Sequence, residues 1–78
     1  MTVEDLLNET DHEVWVRIIT KKKSIEVWTA DFHGGYDPVL KEVKPFLSKE
    51  IGGDGIFIDM FKNPEGSGKV PMLCVIID

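Results

Sequence analysis

Two alternating stretches, Glu13 to Thr20 and Ile25 to Phe32, flank Lys21-Lys22-Lys23, and one pairing between them satisfies all of their side chains. If Ile19 faces Ser24 across a four-residue loop, Arg17 faces Glu26 and Trp15 faces Trp28 on one side. Ile18 meets Ile25 and Val16 meets Val27 on the other. Cross-strand pairs of these kinds each contribute roughly 0.2–1 kcal/mol. A slip of one residue would turn every side chain to the wrong face. The reading is therefore a hairpin with one aliphatic face and one mixed face carrying both tryptophans.

The remaining elements follow from punctuation. Thr2 and Asp5 are spaced as a capping box, and Val3, Leu6 and Leu7 give a short helix an apolar side. This helix is expected to end among the polar residues Asn8 to Asp11. His33-Gly34-Gly35-Tyr36 reads as a loop, after which Asp37 and Pro38 open the main helix as cap and first residue. Val39, Leu40, Val43, Phe46, Leu47 and Ile51 keep helical spacing, and Gly52-Gly53 close it. Pro45 lies inside that pattern and must bend or split the helix, since it lacks a donor and crowds the preceding turn. Gly55 to Lys62 and Met72 to Ile77 read as two further strands around a Gly/Pro/Ser-rich loop, residues 63–71.

The polarity of the strands sets their order. Met72 to Ile77 is apolar on both faces and the first strand nearly so, which suits interior positions. The second strand carries Glu26, Thr29 and Asp31 and the third Asp59, which suits edges. The expectation is one α+β domain, residues 1–78. A short N-terminal helix precedes ββαββ, with a four-stranded mixed sheet in order 2-1-4-3 packed by one main helix. A fully antiparallel sheet in order 2-1-3-4 is the alternative. In either case the N-terminal helix has the second sheet face, over Trp15 and Trp28, open to it. In element order, residues 13–78 resemble the β-grasp, or ubiquitin-like, architecture. Conjugated members of that family use a free diglycine tail, whereas this chain ends Val75-Ile76-Ile77-Asp78 within its last strand. A modifier or sulfur-carrier role is therefore not expected.

Charge narrows the function classes. The net charge is −5, and Glu4, Asp5, Glu9, Asp11 and Glu13 account for all of it, because residues 14–78 hold nine acidic and nine basic groups. Such a chain repels phosphate backbones, so direct nucleic-acid binding is not expected. The lysine triplet reads as a solvated hairpin tip. No apolar run approaches the roughly 18 residues of a membrane span, and the acidic N-terminus is unlike a signal peptide. Asn8-Glu9-Thr10 matches a glycosylation sequon, which carries no meaning without secretion. Cys74 is the only cysteine, is flanked by Leu73 and Val75, and reads as a buried thiol in a reducing, cytoplasmic setting.

Catalytic and ligand signals are sparse. Gly66-Ser67-Gly68-Lys69 has part of a phosphate-loop pattern, but Asn63 and Val70 stand where Gly and Ser/Thr are needed, and Pro71 follows. Asp31, His33 and Asp37 hold donors for a metal, yet Asp37 is accounted for as a cap and His12, the other histidine, lies in the N-terminal loop. No cofactor or metal is expected. Ser24, Ser48 and Ser67 have no placeable base, so the chain reads as non-enzymatic. Asp59, between Phe57 and Phe61, reads as a charge that guards an edge strand.

The leading expectation is a small protein-binding module or regulator. Its surface is Trp15, Arg17, Glu26 and Trp28, extended by an exposed edge strand. Oligomeric state is left open by the sequence. The opening, a short acidic helix followed by a strand, resembles small proteins of phages and mobile elements. That resemblance implies an inhibitor of a host protein acting through its acidic surface. A third expectation is a small-molecule site in the loop around His33 and Tyr36.

Overall fold

The computed structural model describes residues 1–10 and 13–77; the expectations that touch Asp11, His12 and Asp78 lie outside them. The elements are α1 (Val3–Glu9), β1 (Trp15–Ile19), β2 (Ser24–Trp28), α2 (Thr29–His33), α3 (Asp37–Val43), β3 (Ile56–Lys62) and β4 (Lys69–Ile76). A 3-10 turn, Lys44–Phe46, continues α3.

The hairpin has the expected register, Trp15↔Trp28 through Ile19↔Ser24. Thr20 organises its tip: its hydroxyl donates to the Lys23 carbonyl at 2.8 Å and accepts from the Lys22 and Lys23 amides. The lysines are thereby left exposed at the turn. The sheet is mixed, in order β2-β1-β4-β3, with β1 and β4 parallel and β3 antiparallel to β4.

The second alternating stretch stops being a strand sooner than its composition suggests. Pairing with the first strand runs out at Val14, whose carbonyl accepts from the Thr29 amide. The buried Thr29 hydroxyl accepts from the Val14 amide at 2.9 Å. From Thr29 the chain leaves the ladder, and residues 29–33 coil into α2. That turn closes with the Gly34 amide on Ala30, Gly35 on Phe32 and Tyr36 on Asp31. Gly35 adopts φ 75°, which a side chain would resist.

The main helix is shorter than its periodicity. Pro45 splits it: α3 ends at Val43, and the chain passes through the 3-10 turn into an irregular run to Ile51. Its start is displaced by one residue as well. Tyr36, not Asp37, is the cap residue, because the Tyr36 carbonyl accepts from the Val39 and Leu40 amides. Asp37 becomes the first helical residue, where its charge still suits the positive end of the helix.

α1 begins as expected, with the Asp5 amide donating to Thr2 Oγ1 at 3.2 Å and the Thr2 amide donating to Asp5 Oδ2 at 3.0 Å. Its position corrects the expectation that it has the tryptophan face to cover. The Val3 amide bonds to Lys49, the Glu4 amide to Leu47 and the Ile51 amide to Met1, so its first turn is stitched to the segment that follows α3. Val3, Leu6 and Leu7 therefore join Val16, Ile18, Val27, Val43 and Val75 in one core, with Phe32, Val39, Phe46 and Leu47 at its margin. All the helical structure lies on one face of the sheet.

Candidate functional site

With the helices gathered on one side, strand alternation places Trp15, Arg17, Glu26 and Trp28 on the other. The indoles are 5.1 Å apart, centre to centre, and tilted by 45°. Arg17 is held at three points. Its guanidinium lies 3.6 Å from the Glu26 carboxylate, donates to the Ser24 hydroxyl at 2.9 Å, and sits 4.4 Å above the Phe61 ring. The four binding residues expected from sequence thus form one contiguous patch.

The contact with Phe61 was not legible in the sequence, and it changes the character of this face. Arg17 is on β1 and Phe61 on β3, with β4 between them, so the two side chains meet above β4. The outward side chains of β4 at that level are Met72 and Cys74, which pair with Trp15 and Arg17 respectively. Both are essentially inaccessible, although among the described residues no helix lies on this side. A cation–aromatic bridge therefore does part of the work of a covering layer. Burial pushes the Cys74 thiol above its ordinary range, against the opposing pull of the Arg17 charge.

A groove of about 430 Å³ opens beside the tryptophans, lined mainly by Val14, Trp15, Trp28, Ile58, Met72 and Leu73. It draws on both faces: Trp15, Trp28 and Met72 belong to the tryptophan face, whereas Leu73 and Ile58 alternate to the helical face. β3 is exposed on both faces: Ile56 is 42% exposed, Phe57 39%, Ile58 71% and Met60 52%. The helical layer stops short of this strand.

The loop candidates are placed differently. His33 ends α2, and its Nε2 donates to the Thr10 carbonyl at 2.9 Å, tying α2 to the end of α1. Tyr36 is exposed over a wide, shallow depression formed with Ala30, Asp31, Asp37 and Pro38, and His33 does not line it. The structure does not bring His33 and Tyr36 into one site. Among the described residues, no three His, Cys, Asp or Glu side chains are grouped to hold a metal ion. Gly66 to Lys69 belongs to the β3–β4 hairpin, closed by the Asn63 amide on Gly68 and the Glu65 amide on Asn63 Oδ1. Lys69 begins a strand, not a helix. Of the acidic segment, Glu4, Glu9 and Glu13 are exposed, while Asp5 is engaged in the α1 cap.

Among the described residues, no helix is long and apolar enough to cross a membrane. Comparison with protein-family models, with curated proteins and with solved structures yields no match for this chain.

Proposed function

We propose that the chain is a non-catalytic protein-binding module or regulator whose contact surface is the helix-free face around Trp15, Trp28, Arg17 and Glu26. One observation carries this reading. α1, the element available to cover the indoles, packs on the opposite face and leaves the pair at the margin of an apolar groove. Paired tryptophans beside an immobilised arginine have the composition of interface hot spots. Arg17 is preorganised by its three contacts, so little side-chain freedom remains to be lost on binding. The lone buried cysteine suits a reducing, cytoplasmic compartment. A small-molecule role at the loop has less support, because the His33 ring is already engaged with Thr10.

The test is affinity capture by the native chain and by Trp28→Ala, with circular dichroism to show that both are folded. A hot-spot tryptophan predicts that capture falls by roughly 30-fold or more in the variant. Equal capture by both proteins would remove this face as the binding surface.

A further inference from the structure

The two edges of the sheet are built differently. β2 has five residues, and those whose backbone groups face outward are Ser24, Glu26 and Trp28, next to three lysines. That is a guarded edge. β3 has seven residues, of which Ile56, Phe57, Ile58, Met60 and Phe61 are apolar, and among the described residues nothing lies beyond it in the sheet.

The hydrogen bonding of β3 shows which of its groups face away from β4. The Ile76 amide donates to the Gly55 carbonyl, and the Asn63 amide donates to the Gly68 carbonyl. Odd-numbered residues therefore bond to β4, and Ile56, Ile58, Met60 and Lys62 direct their N–H and C=O groups outward. The outward Met60 amide donates to Asp59 Oδ1 at 2.8 Å, an exposed local bond that pairing with a neighbouring strand would replace. The helical-face side chains of these same residues are the ones the helices leave bare.

A second copy docking antiparallel about a two-fold axis must bring residues of equal parity opposite one another, which leaves few registers. Centring on Asp59 would set the two Asp59 carboxylates against each other at the close, non-hydrogen-bonded spacing of about 4.5 Å between Cα atoms. Centring on Met60 would set Ile58 against Lys62 and carry Ile56 past the strand end to Pro64. Centring on Ile58 pairs Ile58 with its copy and Ile56 with Met60 twice. It also sets Asp54 against Lys62 at both ends. Both residues are exposed, and among the described residues neither forms an ion pair within its own chain.

We infer that two copies of this chain associate through β3, antiparallel and centred on Ile58, to form a continuous eight-stranded sheet. Asp59 then has a defined part: its charge excludes the centred register and moves the pairing to the one that joins Ile56, Ile58 and Met60. Ile58 also lines the groove beside the tryptophans, whereas Asp54 and Lys62 do not, so the charge reversals read the dimer separately from partner binding at the tryptophan face.

The test is sedimentation equilibrium across micromolar to millimolar concentration. The native chain is expected to pass from 8.8 kDa to twice that mass. Ile58→Lys, at a position that the core does not use, is expected to stay monomeric with an unchanged circular dichroism spectrum. The register is read by charge reversal. Asp54→Lys and Lys62→Asp each weaken the dimer by roughly two- to tenfold, and the double variant restores it. A chain that stays monomeric throughout the range overturns the inference, and so does a dimer untouched by Ile58→Lys. A dimer broken by Ile58→Lys but indifferent to both charge reversals overturns the register. Capture of a β3-dependent foreign partner by a strictly monomeric chain would assign the edge to heterologous strand addition instead.

Discussion

At the scale of single residues, Arg17 has more consequence than its ion pair. Its contact with Glu26 is partly solvated, with side chains 27% and 32% exposed, so the charge pairing itself is worth under about 1 kcal/mol. The stem and guanidinium also roof β4. Arg17→Ala is therefore expected to destabilise the chain more than Glu26→Ala does, as read by urea denaturation. The same variant should uncover Cys74. In the native chain the thiol should react with a disulfide reagent about 100-fold more slowly than in denaturant, and Arg17→Ala should recover about tenfold of that rate. Glu13 offers a different lesson. It holds φ 63°, where a side chain costs about 1–2 kcal/mol relative to glycine. Glu13→Gly is expected to raise the melting temperature by a few degrees, offset in part by the added freedom of the unfolded chain.

At the scale of elements, α1 is seven residues long and would not persist alone. It depends on its cap and on the segment at Leu47 to Ile51. Thr2→Ala should cost about 1 kcal/mol, a fall in melting temperature of about 4–8 °C for a domain of this size. The cap also has a pH signature. Hydrogen bonds from the Thr2 amide and hydroxyl hold the Asp5 carboxyl below its usual value near 3.8. A depressed folded value means that the stabilisation is fully present above the unfolded value and is lost as pH falls through the folded one. The loss of stability below about pH 4 should accordingly be shallower in Thr2→Ala, as followed by thermal melts between pH 2 and 6. Leu7, fully buried, anchors the same helix, and Leu7→Ala should cost about 2–5 kcal/mol, enough to leave a large unfolded fraction at 37 °C. Much of this level was legible in the residues. The cap of α1, the hairpin register and an interruption of the helix at Pro45 follow from local chemistry, but the choice between a bend and a split does not. Nor does the conversion of residues 29–33 to α2, because the strand alternation of Thr29 runs on past the rung where the chain leaves the ladder. The face chosen by α1 was also hidden, since Val3, Leu6 and Leu7 fit either side of the sheet. Only the backbone bonds from Val3 and Glu4 to Lys49 and Leu47 decide between them.

At the scale of the whole molecule, the polarity of individual strands placed β1 and β4 inside and β2 and β3 outside, and the structure has that order. The juxtaposition of Trp15, Arg17, Glu26 and Trp28 was legible too, because cross-strand pairing alone brings them together. What stayed out of reach was the bareness of β3, which depends on how far the helical layer extends and not on the strand's own sequence. Joining two copies through that strand would set both tryptophan patches on one side of a single sheet, since a two-fold axis normal to the sheet preserves its faces. A partner with two matching sites would then gain from their fixed separation.

Lys69–Ile76 is the last strand to be synthesised, yet it sits between β1 and β3, with Ile77 still reaching back to the Ile19 carbonyl. β4 is the common neighbour of the hairpin and β3, and among the described residues Ile56 to Phe61 pairs with no other strand. Without β4, β1 and β3 have no strand to join them. A fragment of residues 1–68 should show no cooperative melting transition.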